Sequence, residues 1–297
     1  VSQKKVGDSL LQAASTVLEQ VSDVLPPPNR AIDWSRLNAA FWQPHLFGGR
    51  LTGRSQLSGI TLDNLLAVEQ QKATLELNTR QFLAGLPANN ALLWGVRGSG
   101  KSSLVHALLN RYASEGLRVV QVSKEDATSL FKITDSVKDQ PYKFILYYDD
   151  LSFESSDDSY RALKSALEGS IFSVASNLLI YATSNRRHLL PETMEDNQNT
   201  RVNRYEIHPT EAVEEKVSLS ERFGLWLSFR AFRQEDYLAI VEHWVTVLAR
   251  KLPKEFDAEA RQEALRWALQ RGSRSGRVAW HFARHWVGRH RLQAASG

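Results

Sequence analysis

The sequence predicts an α/β protein: a parallel five-stranded sheet sandwiched between helices, a helical extension before it and a helical lid after it. Three observations predict this. Apolar runs of strand length at 91–94, 117–122, 143–148, 177–182 and 224–229 alternate with stretches of helical apolar spacing, the pattern of a parallel sheet covered on both faces. The first run leads through Gly95-x-x-x-x-Gly100-Lys101-Ser102 into an amphipathic stretch, a strand, glycine-rich turn and helix in the order of a phosphate-binding loop. Beyond the fifth run only helical spacing remains, at 234–251, 257–271 and 277–289.

Taken in order, 9–25 carries apolar residues at helical intervals behind Asp8 or Ser9 as cap, and Pro26-Pro27-Pro28 ends it. The spacing of Trp34, Leu37, Phe41 and Trp42 predicts a short helix over 33–42, with its aromatics packed on the core. Gly48-Gly49-Arg50 to Gly59 reads as a loop holding a boundary. Thr61 opens a helix reaching Leu83, and Pro87 to Asn90 turns the chain into the first strand. Helices follow over 103–111 and 159–168, with a helix and loop over 124–139. The polar, mixed-sign stretch 192–218 reads as an insertion. The expected organisation is a helical extension over 1–53, a phosphate-loop core over 54–230 and a helical lid over 231–297.

Composition narrows the chemistry. The 297 residues are 42% hydrophobic and 24% charged, ordinary for a chain with a real core. With no cysteine there is no disulfide, thiolate metal site or cysteine nucleophile. No apolar run approaches the length of a membrane span, and a cytoplasmic protein without a membrane partner is the expectation. The formal charge of +4 is uneven, with seven Arg and no Asp or Glu from Ala264 onward. That skew permits an acidic partner such as nucleic acid. Aromatics at Trp280, Phe282 and Trp286 interleave with Arg284, Arg289 and Arg291, but a packed helix with one solvated basic face explains the same letters and is preferred.

The loop's chemistry follows from its residue types. Glycines 95, 98 and 100 permit the dihedrals that turn successive N–H groups, from Val96 and Arg97 through Ser99 to Ser103, around a phosphate. The helix that opens near Lys101 aims its positive end at the same anion. Lys101 would reach the β- and γ-phosphates and the Ser102 hydroxyl a Mg²⁺ ion, so the expected ligand is a nucleoside triphosphate. The strand 143–148 ends in Asp149-Asp150, a Walker B pattern: Asp149 would hold Mg²⁺ or its water opposite Ser102. Asp150 could deprotonate an attacking water, although it is a methylene shorter than the usual glutamate; Glu154 is a competing base. Asn185, just past the 177–182 strand, can bind the γ-phosphate or the water.

With both Walker motifs, Thr183-Ser184-Asn185 at a fourth strand, Ser220-Glu221-Arg222-Phe223 before a fifth and an all-helical end, the chain resembles an AAA+ ATPase. More narrowly, Gly85-Leu-Pro-Ala-Asn-Asn90, Tyr148-Asp-Asp-Leu-Ser-Phe-Glu154, Tyr181-Ala-Thr-Ser-Asn-Arg-Arg-His188 and Arg271-Gly-Ser-Arg-Ser-Gly-Arg277 resemble a bacterial AAA+ family known as a domain of unknown function. The likeness covers roughly 60–285. It implies sensor 1 at Asn185, an arginine finger at Arg222 acting on a neighbouring subunit's γ-phosphate, and sensor 2 at Arg277. It also implies an adenine pocket at Leu66 and Val68, with Ala67 where glycine is usual. Arg222 could instead pair within its own chain with Glu221, and Arg277 could simply solvate its helix.

The expected function is that of an AAA+ ATPase binding ATP and Mg²⁺ and hydrolysing ATP in a homo-oligomer to remodel or move a macromolecular partner. The alternatives are a slow ATP-dependent switch, suggested by Asp150, and a DNA-binding or loading protein, suggested by the basic end.

Overall fold

The computed structural model describes residues 32–45, 48–56, 58–152, 158–167, 175–185, 219–249 and 256–296. Strands Ala39–His45 (β1), Gly48–Arg54 (β2), Ala91–Gly95 (β3), Leu117–Val122 (β4), Lys143–Tyr148 (β5), Leu178–Ser184 (β6) and Leu225–Phe229 (β7) form one sheet. Their order is β2-β1-β4-β5-β6-β3-β7. All neighbours are parallel except β1 and β2. The centre of the sheet is apolar without alternation because both faces are buried: Phe144 to Tyr148 are each fully enclosed. Odd and even residues then go to opposite sides. Leu92, Leu146 and Ile180 pack with Ile133 and Leu163, whereas Leu93, Ile145 and Tyr181 pack with Leu75, Leu104 and Leu108.

The helices are Glu69–Leu83 (α1), Lys101–Tyr112 (α2), Leu130–Val137 (α3), Asp158–Leu167 (α4), Gln234–Ala249 (α5), Ala258–Gln270 (α6) and Gly276–Ser296 (α7). The last three enclose a core of their own around Tyr237, Val241, Ala264, Phe282 and Trp286. No helix among the described residues is long and apolar enough to cross a membrane.

The five expected strands are all present and parallel, and the hairpin β1–β2 adds two more. It corrects the expected helix over 33–42, the loop after Gly48 and, in its described part, the helical extension over 1–53. Trp34 and Trp42 do bury in the core, as the helical spacing suggested. The free edge of β4 nevertheless offers Ala39 to Phe41 a ladder opposite Val119 to Gln121, and this pairing outweighs local helix preference. Gly49 lies so close beneath Trp42 that a Cβ there would fall 2.1 Å from the indole. Arg118 fastens the approach to the hairpin: its buried guanidinium donates from Nε to Trp34 O (2.9 Å) and from Nη1 to Ala113 O and Leu117 O, over the ring of Tyr142. The predicted helix over 9–25, the proline stop and the insertion over 192–218 lie outside the described residues.

A second correction concerns the helix expected from Thr61 to Leu83. A 3₁₀ turn at Leu62–Asn64 is capped reciprocally by Thr61 and Asn64, and α1 begins only at Glu69. Between them Ala67 is left-handed (φ 60°), and its N–H donates to Glu69 Oε1 at 3.0 Å. An alanine in this region costs about 1–2 kcal/mol, more than the roughly 0.5–1 kcal/mol of extra chain freedom that glycine loses on folding. Ala67→Gly should therefore raise stability by about 0.5 kcal/mol, where alanine-to-glycine changes in helices or strands lower it. Urea unfolding of the two proteins measures the difference.

Candidate functional site

The loop between β3 and α2 is held from both sides. Its first amide, Val96 N, donates to Phe229 O of β7 (3.1 Å), and Gly98 O accepts from Gly276 N at the start of α7 (2.8 Å). Gly95, Gly98 and Gly100 all have positive φ (131°, 73° and 101°). A Cβ on Gly95 would lie 2.0 Å from Phe229 O, so the close pass of β7 requires glycine there. α2 begins behind Gly100 without a side-chain cap. The amides of Gly98 to Ser103 donate to no acceptor among the described residues. A ring of unpaired N–H groups at a helix start fits a phosphate.

Lys101 is buried at the centre of this ring. Its ammonium donates to Gly95 O (2.9 Å), Val96 O (2.8 Å) and Asn185 Oδ1 (3.2 Å). Burial lowers its pKa, partly offset by Asp150 and Asp149 and reinforced by Arg97 and Arg277. Asn185 also donates from Nδ2 to Asp150 Oδ1, linking the lysine to the second acid of the β5 tip. Asp150 is itself left-handed (φ 56°), a conformation aspartate tolerates better than most residues. Its other oxygen stands 3.8 Å from Arg97, an exposed and therefore weak pair.

Asp149 is the most heavily constrained group. Its Oδ1 accepts hydrogen bonds from Ser102 Oγ, Tyr147 OH and Thr183 Oγ1, each at 2.7 Å. Burial pushes its pKa up, but the three hydroxyls, with His106 nearby, outweigh burial and hold the carboxyl below its ordinary value. Thr183 Oγ1 also accepts from Asp150 N (2.9 Å), so one hydroxyl orients both acids. Ser102 and Asp149 meet across the loop mouth, the hydroxyl-and-carboxylate pair that a hard, oxygen-seeking cation such as Mg²⁺ takes together with phosphate oxygens.

Arg97 to Ser103, Asp149, Asp150, Asn185, Arg277, Leu66 and Val68 all border one cavity of about 860 Å³ between the sheet end and the α5–α7 unit. Its far wall is apolar, with Leu65, Ile240, Trp244 and Trp280. Asn64 bonds His243 (3.2 Å) across the same gap. Gly95 and Val96 stand behind the cavity and contribute carbonyls to Lys101. Arg222 is half-buried and does not border it. Glu154 lies outside the described residues. Tyr147 was missed by sequence reasoning, which took it for strand core, although its place two residues before Asp149 puts both on one side of the strand. The basic end is largely self-engaged: Arg289 forms a bidentate pair with Glu263 (2.8 and 2.7 Å), Arg291 donates to Leu248 O (2.6 Å) and Arg271 stacks on Trp267.

Residues 35–290 match the profile of the family described as "Protein of unknown function (DUF815)". The chain belongs to this family. Among solved structures, the DUF815 chain is similar to the Thermotoga maritima RuvB Holliday junction branch migration motor at 16% identity and TM-score 0.52, over 76% of this chain and 63% of that one. A single-site variant of that RuvB matches at 16% identity and TM-score 0.51, over 77% and 65%. The chain thus spans under two thirds of the structures it matches first. AMPPCP-bound DnaA from Aquifex aeolicus is similar at 16% identity over 69% and 59%, with a TM-score of 0.46, too loose to bear on the fold. A comparison with curated proteins finds no match. The DUF815 chain therefore has the AAA+ fold.

Removing one hydroxyl from Asp149 tests the electrostatics. A carboxyl with a lowered folded pKa adds stability above its unfolded pKa of about 4, and the contribution is lost as pH falls through the folded value. Tyr147→Phe should raise the titration point of Asp149, seen by NMR of labelled aspartate carboxyls, so that its contribution to stability is smaller and is fully lost at a higher pH on acidification. The variant should also lose about 1.5 kcal/mol at neutral pH in urea unfolding.

Proposed function

We propose that this protein is an AAA+ ATPase that binds ATP with Mg²⁺ in the cavity between the sheet end and the α5–α7 unit and hydrolyses it when a second subunit completes the site. The observation that carries this reading is the unpaired amide ring of Gly98 to Ser103 with Lys101 at its centre and the Ser102–Asp149 pair at its mouth. The amides and Lys101 would bind the β- and γ-phosphates, and Arg277 would reach them from α7. Leu66 and Val68, with the apolar far wall, would take the base. Ser102 and Asp149 would hold Mg²⁺, whose charge offsets that of the phosphates when bound.

Asn185 would orient a water molecule in line with the γ-phosphorus. As the water oxygen bonds to phosphorus, the bridging oxygen leaves with ADP, and the water proton passes to a carboxylate, Asp150 or Glu154. Asp150 has the stronger support because Asn185 already bonds it. Arg222 of a neighbouring copy would offset the charge that develops on the phosphoryl oxygens. Its place off the wall of the cavity is consistent with action in trans. Turnover would move the α5–α7 unit through the Gly276–Gly98 contact and so act on a partner macromolecule.

A slow switch is the second reading. It is favoured by the hydrogen bond from Asn185 to Asp150 Oδ1, which occupies the oxygen that would otherwise accept a proton from the attacking water.

Steady-state turnover against protein concentration, with Lys101→Ala as the blank, separates the two. The ATPase reading expects a rate per subunit that climbs with concentration. It also expects Arg222→Ala to bind nucleotide normally while losing about a thousandfold in rate, with partial rescue in mixed oligomers. A flat, near-zero rate with tight binding supports the switch, and loss of nucleotide binding in Arg222→Ala removes the in-trans role.

A further inference from the structure

A second cavity of about 680 Å³ opens on the outer side of the phosphate loop, against the C-terminal half of α6 and the turn into α7. Its floor and rim are apolar, with Phe232 beneath and Val96 and Leu269 facing solvent; Leu269 is 82% exposed, the most exposed large apolar side chain among the described residues. Arg97, Arg266 and Arg274 surround it, and no carboxylate among the described residues borders it. The turn is part of the Arg271–Arg277 motif, of which Gly276 and Arg277 border the nucleotide cavity. Whereas Arg271, Arg289 and Arg291 are engaged by ring, carboxylate or carbonyl, Arg266 and Arg274 are exposed and direct their charge to this opening.

We propose that this cavity docks an acidic segment of a partner protein, seating apolar side chains on Leu269, Val96 and Phe232 while its carboxylates meet Arg266 and Arg274. Guanidinium forks suit carboxylates, and apolar anchors ringed by arginine make up the energetic centres of protein interfaces. Nucleic acid fits less well: three cations around an apolar floor do not trace a phosphate backbone, and among the described residues Phe232 is the only aromatic ring on the wall.

The docking site communicates with the nucleotide site through shared walls. Arg97, Ser99 and Phe232 border both cavities. Ser275 packs against Gly98, where an added Cβ would lie 2.9 Å from its side chain. A segment seated here braces the loop from outside, so each ligand changes the affinity of the other by the same factor. This coupling rests on the proposed nucleotide site; the docking itself does not.

The test is fluorescence anisotropy of a labelled Glu/Leu dodecapeptide on the nucleotide-free protein, with a Glu/Ser dodecapeptide and a single-stranded oligonucleotide as comparisons. The expected result is salt-sensitive binding of the Glu/Leu peptide alone. Arg266→Glu and Arg274→Glu should each weaken it about tenfold, and Leu269→Asp by a similar factor. All three positions are exposed, so circular dichroism should show the variants folded. Equal binding to the variants, equal binding of the Glu/Ser peptide, preference for the oligonucleotide or no binding of any probe would each overturn the proposal. A repeat with saturating ATP reads the coupling. Binding of the peptide that ignores ATP, in a protein shown to bind ATP, would remove the coupling and leave the docking site.

Discussion

The carboxylate of Asp149 ends a strand that is buried on both faces, and much of the site is arranged around it. Partial burial disfavours its charge unless it is bonded, and here three hydroxyls from three different elements converge on one oxygen: Ser102 from α2, Tyr147 from β5 and Thr183 from β6. Each of those elements is fixed in turn by the sheet, so the carboxylate and the loop are set in register by the same packing that forms the core. Thr183 extends the register to Asp150, and Asn185 extends it to Lys101. The acids, the lysine and the phosphate loop thus form one connected unit.

The loop also joins the two bodies of the fold. β7 grips its start and α7 its middle, through backbone bonds for which Gly95 and Gly98 leave room. A motion of the helical unit therefore reaches the loop directly, with Asn64 and His243 forming a second tie across the cavity.

The parts of the fold legible in the sequence were those where local pattern and tertiary demand agree. Leu117–Val122 and Lys143–Tyr148 read to the residue because short, largely apolar runs rich in β-branched or aromatic residues suit a buried strand. The residues expected at one site, from Arg97 to Ser103 with Asp149 and Asn185, do border one cavity. The β1–β2 hairpin was not legible, since Trp34, Leu37, Phe41 and Trp42 satisfy a helical face equally well and only the open edge of β4, distant in sequence, decides between them. The break before α1 was hidden for a similar reason: Ala67 favours helix, and its left-handed turn is imposed by the cap at Asn64 and the hold of Lys72 on Leu62 O and Leu65 O. Tyr147 was obscured by its apolar neighbours, because a phenol in a buried strand looks like core until the carboxylate two residues on is recognised as its acceptor.

The hairpin also bears on the order of assembly. β1 comes first in the chain yet lies in parallel beside β4, with Ala39 opposite Val119. Its docking closes a long loop that holds α1, β3, the phosphate loop and α2, and such closure is unfavourable until the intervening structure exists. During synthesis, β1 and β2 are made well before β4, the strand they must find across that loop, while β3 waits longer still for β6 and β7. Until the hairpin docks, β4 presents an open edge of Val119, Val120 and Val122 to whatever else is nearby. That edge is open to mispairing in the interval between the synthesis of β4 and the return of the hairpin.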